Sequence, residues 1–253
     1  MKVASWNVNS IKVRLEQALE WLDATRPDVL GLQEIKMLTE NFPVEEFSQA
    51  GYHSAVDGQK TYNGVALLSN KEPADVIRGI PGFADEQKRA IAASYGDTRV
   101  INLYVPNGQA VGSEKYDYKL GWLEALEGWL ADEIKQHDKL VVMGDFNIAP
   151  DDRDVHDPEE WAGKILCSDA ERTALHKLMD LGLSDSFRLF EQPEAAFSWW
   201  DYRAAGFRRN RGLRIDLLLV TEAVAKTAKA SDIDREPRRL ERPSDHAPVW
   251  IEF

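Results

Sequence analysis

Cysteine is almost missing from this chain of 253 residues: Cys167 stands alone. One cysteine excludes an intrachain disulfide. No His/Cys cluster has ligand spacing, which argues against zinc. Long apolar runs are also missing, and no stretch approaches the ~20 residues of a membrane span. The N-terminus, Met1 to Asn7, shows no apolar signal segment before polar residues intervene. A Walker loop is absent, so a nucleoside triphosphate is not the obvious substrate. Gly-x-Ser-x-Gly is absent too, which argues against an esterase. No repeat, low-complexity tract or linker divides the chain. These absences fit a cytoplasmic, soluble monomer with no membrane partner, folded as one domain over residues 1–253.

Positive charge is in short supply overall, with a formal net charge of −12. Affinity for nucleic acid comes largely from attraction to phosphates, so the total argues against such a partner. Net charge is only a first moment, however. Arg203, Arg208, Arg209, Arg211 and Arg214 fall within twelve residues and make a local positive field. Acidic residues gathered in a metal site would inflate the negative total.

What is present begins with Lys139 to Asn147, Lys-Leu-Val-Val-Met-Gly-Asp-Phe-Asn. Its apolar run has the pattern of a strand buried on both faces, ended by Gly144. Side chains alternate along extended chain, so Asp145 and Asn147 leave on one side and Phe146 on the other. Taken alone, the same residues suit a turn. Earlier, Lys2 to Val8 reads as a strand, Ser10 as an N-cap, and Ile11 to Thr25 as an amphipathic helix closed by Pro27. Asp28 to Gln33 is a second buried strand, delivering Glu34. Short strands are expected at 64–69, 75–80, 90–95 and 99–105, with Gly96-Asp97 as a hairpin turn. A long helix covers 116–136, with Leu123, Leu126, Leu130 and Ile134 inward. Residues 151–164 read as a polar loop with short helical stretches. A helix capped by Ser168 or Asp169 reaches about Leu181. Strands return at 183–190, 197–202, 213–220, 229–234 and 247–253. Many strands with few helices suggest two packed sheets covered by helices.

Polar residues recur at these strand ends: Asn7, Glu34, Asp145 with Asn147, Asp216, and Asp245-His246. Asp216 interrupts a near-continuous apolar run, where a carboxylate is costly unless paired. It either holds a loop or orients a histidine, and His246 is the natural partner. Glu34 and Asp245 offer hard oxygens, and the amide oxygen of Asn7 completes a set suited to Mg²⁺ or Mn²⁺. Such a set suits phosphoryl oxygens.

The motifs Trp6-Asn7-Val8-Asn9, Leu32-Gln33-Glu34, Gly144-Asp145-Phe146-Asn147, Arg214-Ile215-Asp216 and Ser244-Asp245-His246 span nearly the whole chain. In that order the chain resembles the endonuclease/exonuclease/phosphatase superfamily. Gln33-Glu34-Ile35-Lys36 and the stretch from Trp199 to Asp216 resemble, more narrowly, its bacterial exonuclease III branch. The resemblance implies a four-layered α/β sandwich of the deoxyribonuclease I type, with two packed mixed sheets flanked by helices. It implies a DNA-repair phosphodiesterase acting on double-stranded DNA at abasic sites or 3′ ends. Glu34 would be the central metal ligand, helped by Asn7 and Asp245, with Asp145 and Asn147 bordering the metal. His246, oriented by Asp216, would sit beside the scissile phosphate, with Tyr104 as the site tyrosine. Asp145 would handle the attacking water or the leaving oxygen.

For DNA contact the expected residues are Arg208 and Arg209, with Arg89 and Lys115 as weaker candidates. Trp199 and Phe207 would line a pocket for a sugar without its base. Core packing is the alternative for these aromatics. Relatives acting on inositol phosphates or phospholipids provide a second reading of the same motifs. A non-catalytic nucleic-acid-binding regulator is a third, and it predicts damaged catalytic motifs, which this sequence lacks.

Overall fold

The structure is a computed structural model and describes residues 1–253. The first half runs β1 (Lys2–Asn7), α1 (Ile11–Thr25), β2 (Val29–Gln33), α2 (Val44–Gln49), β3 (His53–Asp57), β4 (Val65–Ser69), β5 (Ala74–Arg78), β6 (Ala90–Tyr95) and β7 (Thr98–Tyr104). It continues through α3 (Glu114–Gln136), β8 (Lys139–Asp145), α4 (Pro158–Trp161), α5 (Asp169–Asp180) and β9 (Leu183–Asp185). The last part comprises β10 (Trp199–Trp200), β11 (Gly212–Leu213), β12 (Asp216–Thr221), α6 (Glu222–Ala225), β13 (Ala230–Ile233) and β14 (Val249–Glu252). No helix is long and apolar enough to cross a membrane.

Two six-stranded mixed sheets form, in the orders β13-β14-β1-β2-β4-β3 and β5-β6-β7-β8-β12-β9. Alternation explains their stacking. Val3, Val29, Leu67, Val141, Met143 and Leu218 point between the sheets and make the central core. The residues in between point outward. Leu140, Val142 and Leu217 meet α3 and α5 through Leu123, Leu126 and Leu178. On the other side Ala4, Leu30 and Leu32 meet α1 through Ile11, Ala18 and Leu22. Each central strand is therefore apolar on both faces, and the result is four layers, helix–sheet–sheet–helix.

The carboxyl ends of β1, β2, β7 and β8 lie at one end of the sandwich. β12 runs antiparallel to β8 and starts at that end, with Asp216 opposite Asp145. Gly144 is required beside it: its φ is +147°, and a Cβ there would lie 1.9 Å from the Leu103 carbonyl oxygen.

Four expectations need correction. Ser10 makes no side-chain cap and sits at φ 90°. Its N–H and that of Ile11 donate across to the carbonyls of Glu34 and Ile35, at 2.8 and 3.2 Å, so the start of α1 is capped by the Glu34 turn. The 213–220 run is two strands, because Arg214 turns inward between Asp154 and Asp185. The 183–190 strand stops at Asp185, whose carboxylate accepts from the Phe187 N–H and starts a 3-10 turn. The 197–202 strand shrinks to Trp199–Trp200. α2 and β3 had no expectation, since β3 is an edge strand whose start is exposed and polar.

Candidate active site

Asn7 is fully buried at the end of β1. Its amide nitrogen donates to Glu34 Oε1 at 3.0 Å and Asp145 Oδ2 at 2.9 Å. Its oxygen accepts from the Asn9 N–H at 3.0 Å. Here the amide nitrogen faces the two carboxylates, while the oxygen, the atom expected to face a metal, is engaged by the Asn9 N–H. Glu34 sits in the left-handed region at φ 50°, a conformation uncommon for a side chain of its size. That turn rotates its carboxylate out of the sheet toward Asp145. Lys36 Nζ holds Glu34 Oε2 at 2.9 Å and Asn9 Oδ1 at 2.6 Å.

Asp145 is 1% exposed. Asn147, also left-handed at φ 50°, folds back so that its N–H donates to Asp145 Oδ1 at 2.9 Å. The Asn147 side chain donates to the Val105 carbonyl at 3.0 Å and accepts from Asn107 Nδ2 at 3.2 Å. Asp216 carries both oxygens within 3.1 Å of His246 Nδ1 and accepts from Ser198 Oγ at 2.6 Å. His246 Nε2 then lies 3.7 Å from Asp145 Oδ2. One ligand atom from each of Glu34, Asp145 and His246 falls within 4.8 Å of the others.

Charges here are tightly linked. Burial opposes the His246 charge, but Asp216 and Asp145 outweigh it and raise the imidazole well above its usual value. Burial first, then Asp216 and Glu34, raise the Asp145 carboxyl, against His246 and Asn7. Burial, with Glu34 and Asp145 close by, keeps the Tyr104 hydroxyl far above its usual range, hence un-ionised. The end of the sandwich therefore holds a histidine fixed by a buried aspartate, in surroundings that favour its charge. Beside it lie a buried carboxyl raised from its ordinary value and a half-buried glutamate.

Residues 4–246 match the Endonuclease/Exonuclease/phosphatase family. The chain belongs to that family. Exodeoxyribonuclease III of Haemophilus influenzae is 41% identical over 266 residues, covering 100% of both chains. An exodeoxyribonuclease of Bacillus subtilis is 33% identical, covering 99% of this chain and 98% of that one. Among solved structures, the 3′ phosphatase NExo from Neisseria bound to a product DNA hairpin is 49% identical with a TM-score of 0.98. It covers 100% of this chain and 99% of its own. An AP endonuclease from Archaeoglobus fulgidus is 38% identical with a TM-score of 0.96, over 100% of this chain and 99% of its own.

Nucleases of this family depend on a divalent metal. The donor set fits one, because Glu34 and Asp145 bring hard carboxylate oxygens together in a site of negative charge. His246 engages Asp216 through Nδ1, which leaves Nε2 facing Asp145 at 3.7 Å. Asp245 stands apart. Its carboxylate accepts from Asn9 Nδ2 at 2.9 Å and Trp199 Nε1 at 3.0 Å. It is linked to Glu34 through Asn9 and Lys36.

The expected DNA contacts divide. Arg208 and Arg209 are exposed and make no ion pair. The other three arginines of the cluster are engaged within the protein, which narrows the expected local positive field to Arg208 and Arg209. Arg203 pairs with Asp201, Arg211 with Glu160, and Arg214 is buried between Asp154 and Asp185. Arg89 lies over the Tyr104 ring at 4.8 Å and is bound to Gln87, so it is largely covered. With exposed Lys115 it lines a cleft of about 780 Å³ beside Tyr104 and Asn107. Trp199 is half-buried and packs on a small cluster containing Leu213 and Ile215. Phe207 lies elsewhere: it meets Trp200 edge-on at 5.1 Å and the Arg238 guanidinium at 4.9 Å. Its place in a sugar pocket is therefore not supported, because Trp200 and Arg238 occupy its face. Sequence reasoning missed Asn9, Lys36, Asn107 and Ser198. Period-two spacing from Asn7 pointed to Asn9, whereas nothing local marked Asn107 or Ser198.

Proposed function

We propose that this chain is a divalent-metal-dependent DNA-repair phosphodiesterase acting on double-stranded DNA at abasic sites and 3′ ends. Residues 1–253 act as one catalytic domain, as a monomer in the cytoplasm. The observation that carries the reading is the buried Asp216–His246 pair set 3.7 Å from Asp145. It presents one fixed positive group and one proton-exchanging carboxyl to the same small volume.

Glu34, with Asp145 beside it, would hold Mg²⁺ or Mn²⁺, and the bound ion would supply charge stabilisation to phosphoryl oxygens. His246, held cationic by Asp216, donates from Nε2 to a non-bridging phosphate oxygen and offsets charge developing there. Asn147 keeps Asp145 in place through its N–H, and Asp145 orients the attacking water and takes its proton. The un-ionised Tyr104 hydroxyl donates toward the phosphate. The half-buried Trp199, backed by buried Leu213 and Ile215, offers an apolar face where a sugar lacking its base can rest. A normal nucleotide would first have to leave the stack, at a cost of roughly a few kcal/mol. Exposed Arg208 and Arg209 neutralise backbone phosphates. The purified protein with Mg²⁺, offered labelled duplexes with an internal abasic site, a recessed 3′ end or a 3′-phosphate, should convert at least one to a 3′-hydroxyl product. Inertness toward all three refutes the reading.

A further inference from the structure

A lysine lies buried directly beneath the site. Lys119, on α3, is 0% exposed. Its ammonium donates to the Asn147 carbonyl at 2.7 Å, to the Asn107 carbonyl at 3.1 Å and to Glu171. An ammonium has three N–H donors, and all three are used. The two carbonyls belong to residues whose side chains bond each other, Asn107 Nδ2 to Asn147 Oδ1. Lys119 thus fixes from below both halves of a carboxamide pair that faces the site from above. Asn147 is the left-handed residue whose N–H holds Asp145, and its carbonyl is held by Lys119 at 2.7 Å.

Glu171 is equally specialised. It caps α5 by accepting from the Leu166 and Ser168 N–H groups at 3.1 Å each. Burial lowers the Lys119 ammonium, and the Glu171 carboxylate beside it works against that shift. We infer that Lys119 is a positioning residue for hydrolysis, setting Asn147 and Asn107 at the distance that aims Asp145 at its water. The inference rests on the function proposed above, through the role given there to Asn147.

The test is a double-mutant cycle between the buried pair and Asp145. Removing both charges, as Lys119→Met with Glu171→Gln, avoids leaving one ion uncompensated in the core. A melting curve confirms folding, and single-turnover cleavage at saturating DNA and DNA binding are read separately. The expected result is a rate loss of about tenfold to a hundredfold with DNA affinity changed less than about threefold. In an Asp145→Ala background the same pair of changes should cost less than about threefold more, because the lysine acts by aiming that carboxyl. If the pair variant does not fold, Lys119→Gln, which keeps a donor for one carbonyl, goes through the same cycle. A folded lysine variant with full rate, or losses that multiply with those of Asp145→Ala, overturns the inference while leaving the proposed function standing. Full activity of Asp145→Ala overturns both.

Discussion

Asp216→Asn is the most informative single change, because it removes a charge while keeping the volume. Asp216 is 2% exposed and His246 4% exposed. The carboxylate lies 2.9 Å from His246 Nδ1. At an effective dielectric of about 20, opposite charges that close attract by roughly 5 to 6 kcal/mol. Desolvation of both ions cancels a large part of this, and hydrogen bonds to charged groups contribute a net ~1.5–3 kcal/mol. We therefore expect a net loss of roughly 2 to 4 kcal/mol in transition-state stabilisation, or about 30- to 900-fold in single-turnover rate. His246→Asn should cost a similar amount, and the double variant little more than either, since the two residues act as one unit. The pH profile gives a second readout. The folded His246 is raised from its ordinary 6.5. Its charge, and the stability it brings, is fully present below that ordinary value and is lost as pH rises through the raised one. In Asp216→Asn the raised value falls, so the alkaline loss of activity should begin at lower pH. Multiplicative rate losses, or an unmoved alkaline limb, would refute the pairing.

Other consequences follow from the surroundings. Arg208→Ala with Arg209→Ala should weaken DNA binding and flatten its salt dependence by about one unit of slope per lost phosphate contact, whereas Arg203→Ala should leave the slope nearly unchanged. Trp199→Ala should lower cleavage at an abasic site or 3′ terminus more than cleavage of intact duplex. Phe207→Ala should instead lower the melting temperature, since its ring is packed on Trp200 and Arg238. Cys167 is buried, and burial first of all pushes its thiol up to about 11, against a partial counter-effect from Arg172. The native protein should thus react slowly with a thiol reagent at pH 8, and rapidly once unfolded; fast native reaction would show that the loop around Cys167 opens.

Much of the fold was legible because both faces of the central strands are buried. Val141, Val142 and Met143 form an apolar run that only an interior strand explains, and α1 begins and ends at Ile11 and Thr25 as its spacing implied. The site was legible where its residues close such runs: Asn7, Glu34, Asp145 and Asp216. Failures have a common origin in long-range partners. Ser10 looks like a cap until the Glu34 turn supplies its acceptors. Arg214 looks like part of a phosphate-binding cluster until Asp154 and Asp185, 60 and 29 residues away in sequence, claim its guanidinium. Phe207 looks like a neighbour of Trp199, yet Arg238 draws it to the other side of the strand. Local composition holds no record of a partner that arrives from elsewhere in the chain.

The central claim, a divalent-metal hydrolase centred on Glu34, is tested most directly by titrating Mg²⁺ into the native protein and into Glu34→Gln, with cleavage of an abasic or 3′-phosphate duplex as the readout. The substitution keeps the shape of the side chain and removes its charge. The native protein should show saturable activation that EDTA abolishes, and Glu34→Gln should lose at least about two orders of magnitude in rate. Full activity in EDTA, or near-native turnover by Glu34→Gln, would contradict the account.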